Sequence, residues 1–195
     1  MYEFPSGGEE FSFSDKGKHD GQNAGISKED FLLLKNKSRI RNSSFNIERF
    51  LLAPDVKITR ETRAPEELGA YYSPWYYKTY DGKRSPTGYK KINSGEEDGR
   101  AIRIDEHEVA KEVLSTEHLE RIEGYRKSVH PIPAEPIIIA QDLDTNRTLI
   151  LDGNHTAKAI YLNYLAGDSI PPIPVIVVRG HKLAEIIGDL KIVNK

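Results

Sequence analysis

The chain has no cysteine in its 195 residues. That excludes disulfides, thiolate metal sites and cysteine nucleophiles. It also lacks an excess of either charge: 28 Lys and Arg face 30 Asp and Glu, for a net charge of −2 and a pI near 6.3. No global field draws it to nucleic acid or to an anionic membrane, so any such partner must meet a local patch. No apolar run approaches the ~20 residues of a membrane span, and the polar N-terminus has no secretory h-region. A cytoplasmic protein without a membrane partner is expected, and the sequons at Asn36, Asn42, Asn146 and Asn154 are read as chance. The histidines His107, His118, His130 and His181 lack the tight spacing of a zinc cluster, and no His-Glu-x-x-His occurs. Structural or surface roles are expected for all four.

What is present divides into three stretches. Residues 1–26 are rich in Gly, Ser, Lys and Asp, with Phe4, Phe11 and Phe13 as apolar anchors, and read as a flexible arm. Residues 27–99 read as a helical and aromatic-rich extension. Ser27-Lys28-Glu29-Asp30 ahead of Phe31-Leu32-Leu33-Leu34 predicts a capped helix, and Phe45 to Leu52 a further turn or two. Tyr71, Tyr72, Trp75, Tyr76, Tyr77, Tyr80 and Tyr89 then alternate with Lys78, Lys83, Arg84, Lys90 and Lys91, punctuated by Pro74, Asp81-Gly82, Pro86 and Gly88. Turns and short extended pieces are expected there.

Residues 100–195 read as the main module, of α/β (α+β) class. Ala101 to Ile104 alternates like a half-buried strand, and Asp105-Glu106-His107-Glu108 resembles a capping box opening a helix to about Leu114. Ser115 or Thr116 caps a helix through Lys127. Strands at 136–140, 147–151 and 174–178 surround a helix at 155–166, and Ile186, Ile187 and Leu190 suit a short closing helix. Short apolar runs separated by helices favour a mixed sheet with flanking helices.

The most informative stretch is Ile150-Leu151-Asp152-Gly153-Asn154-His155-Thr156. An apolar strand there enters a helix through a polar hinge, which sets Asn154, His155 and Thr156 beside unpaired backbone N–H groups at the positive end of a helix dipole. That arrangement holds anions, most often phosphate. Gly153 permits close backbone approach, and Asp152 can bond the turn or hold Mg²⁺. His155 can donate to a phosphate oxygen or act as general acid or base. The plainer alternative is that Asn154 and Thr156 only cap the helix and His155 only packs under the sheet.

The ordered pattern of a helix, Pro136-Ile137-Ile138-Ile139, a turn, Leu149 to His155, a helix and Ile173-Pro174-Val175-Ile176-Val177 resembles the ParB/sulfiredoxin superfamily over roughly residues 100–180. That family carries a segment like Asp-Gly-His-His-Arg at the strand–helix junction. Sulfiredoxin-like reductases put a cysteine where Asn154 stands, and partition proteins continue into a DNA-binding domain, for which few residues follow Gly180. The nearest motif is that of the free serine kinases. Asp152, Gly153 and His155 match it, whereas Asn154 replaces a His and Thr156 replaces the Arg, a group that clamps phosphate bidentately. Lys158 is the nearest substitute charge. The resemblance implies a carboxylate base near Glu112, although both Glu112 and Glu108 also suit a solvated helix face.

The resulting expectation is binding of a nucleotide (ATP, ADP or CTP) or another phosphorylated ligand at 152–158. Gly153, Asn154, Thr156 and Lys158 bind it, and His155, Asp152 and Glu112 serve phosphoryl transfer or nucleotide hydrolysis with Mg²⁺ on Asp152. One alternative is a non-catalytic protein- or nucleic-acid-binding module working through section 71–91, with Trp75, Tyr76 and Tyr77 as contacts. Packing of those rings onto the module is the competing reading. A ParB-like nuclease is a third.

Overall fold

A computed structural model describes residues 25–37, 55–88, 91, 96–97, 99–128, 133 and 135–181. Helix α1 (Lys28–Lys37) leads to β1 (Lys57–Arg63), a short 3-10 helix (Pro65–Ala70), β2 (Tyr72–Tyr80), β3 (Lys83–Thr87) and β4 (Arg100–Arg103). Then follow α2 (His107–Val113), α3 (Thr116–Lys127), β5 (Ile137–Asp142), β6 (Arg147–Asp152), α4 (Asn154–Leu165) and β7 (Ile173–Gly180). The helix expected at 45–52, the closing helix at 186–190 and all but the last two residues of the arm lie outside the described residues. Those two residues dock on β1: Gly25 bridges Thr59, and Ile26 N–H donates to the Ile58 carbonyl at 2.9 Å.

The strands form one seven-stranded mixed sheet in the order β1-β7-β5-β6-β2-β3, with β4 paired to β2. The pairs β5/β7 and β2/β6 are parallel, and the others are antiparallel. Residues 57–87, assigned by sequence to an extension, supply β1, β2 and β3 of this sheet. A boundary at residue 99/100 therefore falls between β3 and β4, which both pair with β2.

Alternation along the strands sorts side chains to two faces. Ile138, Ala140, Leu149, Leu151, Ile176 and Val178 pack with Phe31 of α1. The opposite set, Ile137, Ile139, Ile150, Ile173, Val175 and Val177, packs with Leu68 of the 3-10 helix, Val109 and Val113 of α2, Ile122 of α3 and Ala157 and Ile160 of α4. Covering both faces is what a sheet of near-continuous apolar strands demands. α1 starts as expected, with the Asp30 N–H donating to Ser27 Oγ at 3.0 Å. α2 does not: its N-cap Glu106 makes no side-chain cap, because its carboxylate accepts from the Arg103 N–H at 2.8 Å and pairs with Arg100.

Candidate functional site

The hinge joins β6 to α4 as the sequence suggests. Gly153 is the N-cap in the left-handed conformation (φ 85°, ψ 20°). A Cβ here would meet Ile137 Cγ1 at 3.2 Å, so the position disfavours a side chain on two grounds. The Gly153 N–H donates to Asp152 Oδ1 at 2.8 Å, and the Gly153 carbonyl accepts the first helical bond from Ala157 at 2.8 Å. Gly153 has no side chain with which to cap the helix, and no acidic residue occupies the first turn. The first-turn N–H groups lie beside half-buried Asn154, His155 and Thr156, with the Asp152 carboxylate immediately before them.

His155 does not stand alone. Its Nε2 lies 2.7 Å from His118 Nδ1, and the Trp75 ring meets it edge-on with centroids 5.4 Å apart. His118 sits in the first turn of α3, whose cap Ser115 accepts from the His118 N–H at 3.5 Å. Two helix N-termini therefore converge on one imidazole pair. Burial is the main cause that pushes the His155 pKa down, with His118 and then Arg121 adding to it, to about 4. The resting His155 ring is neutral at physiological pH.

The remaining sequence-selected residues lie elsewhere. Lys158 does not offer its charge at the surface: it is 1% exposed, and its ammonium donates to the Ile104 carbonyl at the start of the loop into α2. Burial lowers its pKa to about 8 against the opposing pull of Asp105. Beside it, His107 keeps a buried Nδ1 with no hydrogen-bond partner among the described residues, and its pKa is lowered by burial and then by Lys158. Glu112 is exposed and pairs with Arg84 of β3 at 3.1 Å, as a solvated helix face would have it.

The aromatic section packs inward, as the packing reading of its rings has it. Trp75, Tyr76 and Tyr77 are buried, on alternating faces of β2, so their rings fill the two cores and offer no face to a base. Tyr77 takes a hydrogen bond from Arg100 Nε at 2.6 Å, with the Arg84 and Arg100 guanidinium groups 5.8 and 5.2 Å from its ring centre. Among the described residues of this section, the aromatic most open to solvent is Tyr80 at the hairpin tip, 73% exposed.

Sequence reasoning missed His118. A lone histidine on a helix carries no periodic signal, and only the packing of α3 against α4 brings it to His155. Comparison of the chain with family models, with curated proteins and with solved structures finds no match. No helix among the described residues is long and apolar enough to cross a membrane.

Proposed function

We propose that the chain is a ParB/sulfiredoxin-like module that binds a nucleotide or another phosphorylated ligand at the hinge, with Mg²⁺-assisted phosphoryl transfer or nucleotide hydrolysis as its reaction. The observation that carries the reading is the uncapped first turn of α4 behind a left-handed Gly153, with His155 at its mouth. First-turn N–H groups and a dipole end attract phosphate oxygens. Arg121 of α3, which pairs with Glu117 at 3.4 Å and contributes to the lowered His155 pKa, is the cation this reading offers in place of Lys158. Magnesium commonly arrives with the phosphates and needs only one or two protein carboxylates, and Asp152 fits that need. In that role Asp152 would neutralise phosphate charge through the ion, while His155 bonds the phosphate or moves a proton.

The test is a thermal-shift screen of ATP, ADP, CTP and inorganic phosphate with and without Mg²⁺. A ligand that binds only the folded chain raises its melting temperature, by about 2.7 kcal/mol of stability at a hundredfold excess over Kd. The expected result is a saturable rise that His155→Ala abolishes while Lys158→Met leaves it intact. No rise with any of the four ligands at millimolar concentration contradicts the reading.

A further inference from the structure

Resting on that reading of the hinge, we propose that His118 and His155 form a two-imidazole proton wire from solvent to the bound ligand, with His118 as the positioning residue that sets the tautomer of His155.

The geometry fixes the bond between the rings. Their centroids are 5.0 Å apart and their planes differ by 16°. The 2.7 Å between His118 Nδ1 and His155 Nε2 is the closest approach two imidazoles can make at that centroid separation. It is reached only when both nitrogens lie on the line joining the ring centres. The rings are thus end to end, and a single N–H···N bond lies along that line. One proton occupies it: two would collide, and none would oppose two lone pairs.

The outer nitrogens, His118 Nε2 and His155 Nδ1, have no hydrogen-bond partner among the described residues. Both residues are only partly buried, so the pair has access to solvent.

Two neutral states satisfy these conditions. In one, both rings carry their proton on Nε2, and His155 Nδ1 presents a lone pair to the hinge. In the other, both carry it on Nδ1, and His155 presents a donor. Passing from the first to the second moves one proton: a ligand or water O–H bond breaks and an N–H bond forms at His155 Nδ1. His155 Nε2–H passes its proton to His118 Nδ1, and His118 Nε2–H releases one to solvent. Neither ring carries a net charge at the start or end. That matters because burial, and after it the positive charge on α3 that includes Arg121, opposes an imidazolium at His155. A base that must not become a cation needs somewhere to pass its proton, and His118 supplies it.

The test is imidazole ¹⁵N NMR of the full chain at pH 7. Without ligand, the two rings are expected to share the same tautomer. Opposite tautomers, or an imidazolium at His155, overturn the wire. Adding inorganic phosphate is expected to shift both rings together toward Nδ1–H, because the anion selects the donor at His155. If the tautomers match but phosphate moves no resonance, the phosphate reading of the hinge falls and the coupled pair stands. His118→Phe keeps a ring but removes the nitrogen that bonds His155 Nε2. In that variant phosphate binding is expected to persist while the ligand-free tautomer ratio of His155 changes. A ligand-free ratio and a phosphate-driven shift both unchanged in His118→Phe would overturn the positioning role.

Discussion

Replacing Gly153 by alanine tests whether the hinge has the backbone described, because two separable penalties apply there. The first is the dihedral: a side chain at φ 85° sits in the left-handed region, at roughly 1–2 kcal/mol. The second is contact. The new Cβ would meet Ile137 Cγ1 at 3.2 Å, and Ile137 is 1% exposed in the core at the start of β5. Crowding of this kind adds about 1 kcal/mol. The stiffer unfolded chain returns roughly 0.4–1 kcal/mol. A net loss of about 2 kcal/mol follows, or a fall of about 4–8 °C in Tm for a domain of this size. Gly82 is the internal control. It has φ 73° in the Asp81–Gly82 turn, but a Cβ there would find no neighbour within 4 Å. Gly82→Ala therefore meets only the dihedral penalty, about 1 kcal/mol net. Urea unfolding of both variants against the parent reads the difference. Equal losses at the two sites would refute the contact with Ile137, and a neutral Gly153→Ala would refute the left-handed hinge itself.

His155 and Lys158 give pH signatures in separate windows. His155 titrates near 4 when folded and 6.5 when unfolded, so between those values the unfolded chain binds the extra proton. Stability therefore falls as pH drops from 6.5 toward 4, by at most about 3 kcal/mol from this residue. His155→Gln should flatten urea-unfolding stability across that window, and an unchanged slope would count against a neutral, desolvated His155. Glu61 titrates lower, near 2 when folded, held down chiefly by Arg179, so its loss comes below pH 4.5. Lys158 titrates near 8 when folded against 10.5 unfolded, so stability rises with pH between those values. Lys158→Met should remove that rise. At pH 7 it should stabilise the fold by about 1–2 kcal/mol, as the relief of a buried ammonium outweighs the lost bond to the Ile104 carbonyl. A destabilised Lys158→Met would mean the ammonium has a stronger partner than that carbonyl. Ser115→Ala removes a long cap bond at α3 and should lower stability by about 0.5–1 kcal/mol while loosening His118, read as a weaker ¹⁵N coupling between the two rings.

The elements from β4 onward are legible in the sequence because their local signals agree with their tertiary roles. The strand expected at 147–151 is β6 at Arg147–Asp152, and the helix expected at 155–166 is α4 at Asn154–Leu165. β1 is not legible. Ile58 is its only fully buried side chain, and the strand exists because the open edge of β7 offers it a complete antiparallel ladder. β2 is hidden by Pro74, which normally interrupts a central strand. It is tolerated because the ladder with β4 shifts register between Tyr72 and Tyr76, so the missing N–H falls where pairing is already broken. At the site, Gly153 and His155 are readable from local sequence. Lys158 misleads because charge alone suggests a phosphate contact, whereas its neighbours Ala157, Ala159 and Ile160 are all buried with it.

The central claim is that the hinge takes a phosphorylated ligand, and the chain carries its own reporter. Trp75 is the sole tryptophan, 5.4 Å from the His155 ring centre. A ligand that draws the imidazole pair toward itself changes the surroundings of that indole. Titrating ATP with Mg²⁺ while following Trp75 emission should give a saturable change that disappears in His155→Ala. Emission that stays constant to millimolar nucleotide, or a change of the same size and midpoint in His155→Ala, would contradict the account.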